Sequence, residues 1–384
     1  MAISTLRTSV RGDVEKYAWS GLARFRNTSY TTKYLIKTHQ ISNKHKANAS
    51  KQALQIRHCL IQAEEYFSAA RSVSLATKPL LLYYGMMSLA LAEMLTKGSG
   101  NLSLDVARQT HKHHGLTLDV NGNPSKLDDL QGSASALRAK PMVVSGERSG
   151  TFNLWWALSE ESPVCGKLVH EYDGFTRTSN SVLLSASPHE NRFNPIPSSG
   201  ISLLDCLLLA PYLSLELADL GLRSNLVRGR VSLNHEIATN EVTYTTFIHP
   251  ADPDLLNKAY EEFLFAPNCS ESLSVTDMTN GCSIKLQYTL PSDPDMRFPN
   301  SFQWHDDEIF FCVANHSLNE FGVYYVATYI LGNYARYYPD FWMNDIERAG
   351  PLSQITHHLL ENIQYRAPLL AYGEMERKYM LVER

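Results

Sequence analysis

The apolar run from Leu80 to Leu95 constrains the fold of this chain more than any other segment. Its sequence, LLLYYGMMSLALAEML, is apolar on every side of a helix, so a helix here has to lie inside a bundle. Its 16 residues fall short of the roughly 20 that cross a bilayer, so we expect a buried helix and no membrane span. Thr77 as N-cap, Pro79 in the first turn and Gly98 after the end predict the helix bounds.

A second helix is predicted directly before this run. Apolar residues recur at steps of three and four between residues 53 and 70, which places them on one face of an amphipathic helix: Ala53, Ile56, Leu60, Ala63, Phe67 and Ala70. The two helices together predict a helical hairpin. Ahead of it, residues 1–49 are basic and irregular with scattered aromatic side chains, which suggests a loosely packed arm or short strands.

Strand patterns follow in the middle of the chain, and helices return at the end. Alternating residues predict strands at 226–234, 241–250, 282–290 and 308–313. Helices are predicted at 201–220 with a break at Pro211, at 252–265, from a capping box at Ser317 and Glu320 towards Pro339, and at 351–364.

These patterns predict an α+β fold that is predominantly helical. We divide the chain into a basic N-terminal arm at 1–49, a helical region at 50–140, a mixed β-rich region at 141–315 and a C-terminal helical region at 316–384. Since neither helical end has many helices, the C-terminal helices are expected to pack back on the N-terminal bundle, with the β-rich region between them in sequence.

Charge divides the chain into two unequal parts. Residues 1–115 carry 16 Lys/Arg and 6 Asp/Glu, whereas the remaining residues carry 19 and 33. This split predicts an anionic partner near the N-terminus or attraction between the two parts.

The 39 aromatic residues exclude a disordered chain. The start of the chain has no apolar signal-peptide core, and the six cysteines include no CxxC, so we expect a cytoplasmic protein with reduced thiols.

The densest polar cluster, Arg108-Gln-Thr-His-Lys-His-His-Gly115, has three interpretations. A metal site needs matching ligands elsewhere and a less basic surrounding, so we assign no metal. Metal-independent RNA cleavage is the second, because the spacing from Arg108 to His113 or His114 resembles the Arg…His signature of the HEPN ribonucleases; a His would act as acid or base and the Arg would stabilise the charged phosphate. A solvated basic loop is the third.

The segment Leu331-Gly-Asn-Tyr-Ala-Arg-Tyr-Tyr-Pro-Asp-Phe-Trp342 holds a single arginine among aromatic side chains. Such an arginine is either stacked on its neighbours and paired with a carboxylate or free for an anionic ligand. We therefore assign Arg336, Tyr337 and Trp342, together with Lys78 at the start of the apolar helix, as candidate ligand-binding residues. Glycine-rich phosphate loops and the GxSxG motif are absent from the sequence, and no cofactor is expected.

Four segments carry a resemblance to a known family: Lys78 to Ala92, His114-Gly-Leu, Gly150-Thr-Phe and Leu331 to Trp342. In this order they resemble the bacterial YaaC-like proteins over about residues 50–370, with the first 49 residues outside. The resemblance implies a bacterial cytoplasmic protein. The helical hairpin is also similar to HEPN domains, which are common in toxin and phage-defence systems. That similarity implies catalytic roles for Arg108 and for His113 or His114, and a HEPN-like bundle at 50–140.

Three functions are consistent with the sequence. The first is binding of an anionic partner, a nucleic acid or a nucleotide, through the basic N-terminal half, in phage defence or regulation. The second is a HEPN-like ribonuclease that uses Arg108 with His113 or His114, as a homodimer with a shared site. The third is a non-catalytic structural or oligomeric subunit, bound to itself or to a partner protein.

Overall fold

The computed structural model of the protein describes residues 8–10, 12–100, 104–105, 113–159, 164–172, 175–184, 196–236, 241–248, 272–278, 281–289, 301–305, 308–312, 318–377 and 380–382. Within these ranges the fold is mostly helical with antiparallel sheets, as the sequence predicts. The predicted helix at 252–265, Ser317 of the predicted capping box and Arg108 lie outside the described residues.

The α-helices of the described part are α1 Val14–Phe25, α2 Thr28–His39, α3 Lys46–Ser72, α4 Lys78–Lys97, α5 Leu130–Ser135, α6 Thr151–Leu158, α7 Leu203–Leu208, α8 Ser214–Asp219, α9 Glu320–Tyr337, α10 Pro339–Glu347 and α11 Pro351–Glu376.

The strands are β1 Thr8–Val10, β2 Leu116–Val120, β3 Leu137–Pro141, β4 Val143–Val144, β5 Glu147–Arg148, β6 Val164–Tyr172, β7 Phe175–Leu184, β8 Ile201–Ser202, β9 Leu226–Glu236, β10 Glu241–Ile248, β11 Ser272–Met278, β12 Gly281–Thr289, β13 Ser301–His305, β14 Glu308–Cys312 and β15 Met380–Val382.

Helix α4 lies at the centre of the helical bundle, in contact with α3, α6, α9 and α11. By length and composition α4 could cross a membrane, but 72% of its most apolar 18-residue stretch is buried inside the protein. That is the environment of a core helix in a soluble protein. Gly85 lets α3 approach closely, since a Cβ there would lie 2.6 Å from the ring of Phe67. The predicted helical hairpin is therefore α3 and α4, and the C-terminal helices α9 and α11 pack back on it.

The N-terminal segment differs from the sequence prediction of an irregular arm. Residues 14–39 form two helices, α1 and α2, and α1 packs on α3 and α11. The apolar residues that looked scattered fall at helical spacing, and Trp19, Leu22 and Phe25 are buried. Asp13 caps α1 by accepting a hydrogen bond from the backbone N–H of Lys16 at 2.9 Å.

The start of α9 also differs from the prediction. The helix begins at Glu320, with Asn319 as its N-cap accepting from the N–H of Gly322, instead of at a cap on Ser317. The Glu320 carboxylate instead pairs with Arg366 of α11 at 3.1 Å, and both side chains are almost fully buried. Helix α11 continues through Pro368 to Glu376, beyond the predicted end near residue 364.

Two larger sheets are present in the described residues. The ten-stranded sheet has the order β1-β15-β13-β14-β9-β10-β12-β11, and the β6–β7 hairpin joins it through β9. It contains the four strands that alternation predicts. The smaller sheet, β2-β3-β8, is antiparallel, with Leu116 opposite Pro141. It packs against α9 and supports the segment that carries His113 and His114.

Candidate functional site

A cavity of about 680 Å³ lies between α4, the segment 113–118 and the C-terminal part of α9. We call it the tyrosine–histidine cavity. Its apolar wall includes Met87, Leu91 and Met142, and its polar lining comes from the side chains His113, His114, Thr117, Thr151, Tyr329, Asn333, Tyr337 and Tyr338. Among the described residues, none that lines it carries a carboxylate. Its chemistry therefore suits a ligand that is partly aromatic and partly anionic.

The first turn of α6 holds the two histidines in place. The backbone N–H of Thr151 donates to the carbonyl of His113 at 2.9 Å, and the N–H of Phe152 donates to the carbonyl of His114 at 3.0 Å. The Asn153 side chain donates to the carbonyl of Gly115 at 3.1 Å. These contacts use free N–H groups at a helix start to fix a loop that has no regular structure of its own.

Two glycines allow this close approach. Gly115 has φ +90° and Gly150 has φ +105°. A Cβ on Gly150 would lie 2.3 Å from the Cα of Gly115, which no side chain tolerates. The His114-Gly-Leu and Gly150-Thr-Phe segments therefore pack directly against each other, and glycine at both positions makes this possible.

The central helix contacts the site through Tyr83. Its hydroxyl lies 2.7 Å from Nδ1 of His114. Burial raises the pKa of Tyr83 well above its ordinary value, so the hydroxyl keeps its proton. We assign Tyr83 as the donor, which leaves the proton of neutral His114 on Nε2.

Three effects lower the pKa of His114. Partial removal from water is the largest effect, followed by the electrostatic influence of Arg336 and then of His113. His114 is therefore neutral at pH 7, and it lies within electrostatic reach of an arginine more than 200 positions later in the sequence.

Arg336 is exposed beside the cavity mouth, next to the lining residue Tyr337. Its guanidinium donates to the Tyr84 hydroxyl at 2.9 Å and lies 5.1 Å from the ring centre of Tyr337. No carboxylate of the described residues lies within 4 Å of it. Of the two states predicted for this arginine, it is stacked on an aromatic neighbour but not paired with an acid in that part of the chain.

Helix α9 and strand β2 fix the opposite wall. The hydroxyl of Tyr329 donates to the carbonyl of Leu116 at 2.7 Å, and burial raises the pKa of Tyr329 to about 12. Asn333 is buried, and its amide N–H donates to the carbonyl of Tyr329 at 2.8 Å. This wall presents the Tyr329 hydroxyl and an amide, which both stay neutral across the physiological pH range.

The structure brings together some of the predicted site residues. His113, His114 and Tyr337 line the cavity, and Arg336 lies beside it. Lys78 and Trp342 are not lining residues. Trp342 is 1% exposed and donates its indole N–H to the carbonyl of Ala76, so it is part of the core.

Sequence reasoning missed several residues of the site, above all Tyr83, Tyr329 and Asn333. The available signal was a hydroxyl inside an otherwise apolar run, since a buried tyrosine needs a hydrogen-bond partner. Among the described residues, no group of three or more His, Cys, Asp and Glu side chains is placed to hold a metal ion.

The comparison with known families agrees with the resemblance predicted from the sequence. Residues 23–130 match the family described as "YaaC-like Protein". The prediction that the first 49 residues lie outside the resemblance is therefore wrong for residues 23–49. The matched region contains α4 and both histidines. The four segments of the predicted resemblance meet at this cavity: Tyr83 contacts His114 and Tyr329, and Gly150 contacts Gly115. Searches of curated proteins and of solved structures gave no match.

Proposed function

We propose that this YaaC-like protein binds a nucleotide in the tyrosine–histidine cavity. The observation that carries the proposal is Arg336: an arginine without a carboxylate partner among the described residues, beside two histidines at the mouth of an aromatic cavity. An unpaired guanidinium is a donor for phosphate oxygens, and an aromatic wall accepts a flat base.

The size and polarity of the cavity support this ligand. A volume of about 680 Å³ falls in the range of small-molecule sites. In the binding mode that we propose, Arg336, His113 and His114 contact the phosphates and the base lies against Tyr337 or Tyr338. Asn333 uses an amide N–H internally, and its carbonyl oxygen accepts from the ligand.

The charge distribution supports an anionic partner as well. The N-terminal 115 residues, with 16 basic and 6 acidic side chains, supply α4 and both histidines. Such an excess attracts anions over distances longer than a hydrogen bond. The context that we propose is phage defence or regulation in the bacterial cytoplasm.

A HEPN-like, metal-independent ribonuclease is the second candidate. The observation that favours it is the neutral His114 held next to Arg336, since a His–Arg pair can act as proton acceptor and phosphate stabiliser. In this reaction the base removes a proton from a ribose 2′-hydroxyl, the oxygen attacks the phosphate, and the leaving 5′-oxygen takes a proton. Arg108 and a homodimer with a shared site complete that proposal.

Thermal-shift measurements test the nucleotide proposal. We expect nucleoside mono-, di- or triphosphates to raise the melting temperature, and the matching nucleosides to raise it less. A ribonuclease would also cleave a labelled RNA in the presence of EDTA, and His114→Asn would stop the cleavage. If nucleotides give no shift and RNA stays intact, the third alternative, a non-catalytic oligomeric subunit, remains.

A further inference from the structure

A groove of about 600 Å³ runs between α2 and α3, on elements that do not line the tyrosine–histidine cavity. Three lysines and four hydroxyl side chains line it: Lys33, Lys37, Lys46, Thr28, Ser29, Thr32 and Ser50. We call it the α2–α3 groove. Lys33, Lys37 and Lys46 are exposed, so their ammonium groups reach solvent.

The charge in this groove is not compensated nearby. Residues 16–63 contain nine Lys/Arg and no Asp or Glu. Arg26 and Lys51 form ion pairs with more distant acids, Glu64 and Asp105. In contrast, no carboxylate in the described ranges lies within 4 Å of Lys33, Lys37 or Lys46. Among the described residues, the positive charges of the groove lysines are therefore not neutralised by an ion pair, whereas those of Arg26 and Lys51 are.

The start of α3 adds to the positive field. A helix N-terminus favours negative charge, yet α3 begins at Lys46, follows Lys44 and His45, and has no acidic residue in its first turn. No side chain of the described residues caps its free N–H groups. Basic residues at this position cost stability, and a bound anion offsets that cost.

The lining favours phosphate over other anionic surfaces. Lys33 and Lys37 lie one helical turn apart, so their side chains form a row. Hydroxyls beside lysines are the usual donors to phosphate oxygens of a nucleic-acid backbone. A membrane surface would instead require a row of exposed apolar anchors, and Leu54 is the single large apolar side chain of the lining that is strongly exposed, at 43%.

We propose that the α2–α3 groove binds the phosphate backbone of a duplex nucleic acid without reading its sequence. Within the described part of the chain, the lining contains no aromatic side chain on which bases could stack, which distinguishes it from single-strand binding surfaces. This inference goes beyond the nucleotide proposal, because it concerns a different site and a polymeric ligand.

Fluorescence anisotropy with the full chain tests the proposal. The probes are labelled 20-base-pair DNA and RNA duplexes, their single strands and anionic lipid vesicles, each over a series of salt concentrations. We expect duplexes to bind more tightly than single strands or vesicles. In the triple variant Lys33→Gln/Lys37→Gln/Lys46→Gln, the slope of log K against log salt should become shallower by about 2 to 3, since each phosphate contact contributes about 0.9.

Two further variants complete the experiment. Lys51→Gln/Lys126→Gln/Arg148→Gln removes the same charge from exposed positions outside the groove and should change the slope little. Lys33→Arg/Lys37→Arg/Lys46→Arg keeps the charge and should keep the slope, which separates loss of contacts from loss of folding. An equal loss in both Gln variants, tighter binding to vesicles, or no duplex binding by the parent would overturn the proposal. The variant Lys33→Gln/Lys37→Gln/Lys46→Gln should keep the nucleotide affinity of the parent, since none of the three lysines lines the tyrosine–histidine cavity, so failure at one site is distinguishable from failure at the other.

Discussion

The hydroxyl of Tyr83 lies 2.7 Å from Nδ1 of His114, and this contact joins the core of the protein to its candidate site. Tyr83 is 1% exposed in the second turn of α4, whereas His114 lies on an exposed loop. The most apolar helix of the chain therefore has two roles. It fills the centre of the bundle, and it sets the tautomer of a histidine that lines the cavity.

Replacing Tyr83 by phenylalanine should raise the pKa of His114 towards the ordinary histidine value. The hydroxyl donates to the unprotonated ring nitrogen, so it stabilises the neutral form of the imidazole. An NMR titration of the histidine ring protons measures this change. Tyr334→Phe is the control, because the Tyr334 hydroxyl is buried without a hydrogen-bond partner in the described part of the chain. An unchanged pKa in Tyr83→Phe would show that the hydroxyl does not donate to His114.

Gly150→Ala should destabilise the fold by roughly 2 to 4 kcal/mol, by steric overlap added to backbone strain. The new Cβ would overlap Gly115, and φ at this position is +105°. Gly146→Ala is a matched control, since Gly146 has φ +86° but a Cβ added there would meet no described atom within 4 Å. Its cost should be about 1 kcal/mol. Urea unfolding compares the two, and equal losses would contradict the close approach of the two loops.

Glu93 should make stability depend on pH. It is buried, accepts a hydrogen bond from the Trp155 indole at 2.7 Å, and its pKa is raised to about 8, mainly by burial and also by Glu374. The folded state therefore holds a proton that the unfolded chain loses above about pH 4.5. Stability from this group is fully present at low pH and declines as pH rises towards 8.

The variant Glu93→Gln removes this ionisation while keeping an acceptor for Trp155. We expect its melting temperature to change less than that of the parent between pH 5 and pH 8, and to exceed it at pH 8. Scanning calorimetry at several pH values measures both. Parallel curves for the two proteins would exclude Glu93 as the titrating group.

Nucleotide affinity should increase as pH falls from 7.5 to 5.5. The pKa of free His114 is lowered, and a bound phosphate favours its protonated form, so binding takes up a proton at His114. Isothermal titration calorimetry in buffers of different ionisation enthalpy detects that proton. His114→Asn should flatten the profile, while His357→Asn, on an exposed position of α11, should not. A flat profile in the parent would exclude His114 from the phosphate site.

Hydrophobic periodicity predicted those helices and strands whose own residue pattern shows which side is buried. The apolar run at 80–95 and the stepwise pattern at 53–70 gave α4 and α3, and alternation gave four strands. It failed for α1 and α2, where the buried face is short and mixed with lysines and tyrosines. It also failed for Glu320, whose local pattern fits a cap but whose carboxylate is neutralised by Arg366, 46 positions later.

The candidate site was predictable as residue types but not as a geometry. His113, His114 and Arg336 stood out because charged or ionisable groups were placed among aromatic or apolar neighbours. Their convergence depends on contacts between distant segments, such as Tyr84 with Arg336, which no local spacing encodes. Trp342 shows the opposite error, since an aromatic residue next to a candidate arginine turned out to fill the core.

The most direct test of nucleotide binding compares a nucleotide with its nucleoside, in the parent and in Arg336→Gln, by isothermal titration calorimetry. A charged hydrogen bond is worth about 1.5 to 3 kcal/mol, so the parent should bind the nucleotide roughly 10- to 100-fold more tightly than the nucleoside. Arg336→Gln should lose most of that preference and keep its nucleoside affinity, whereas Arg57→Gln, an exposed control on α3, should keep both. An undiminished phosphate preference in Arg336→Gln would contradict the account.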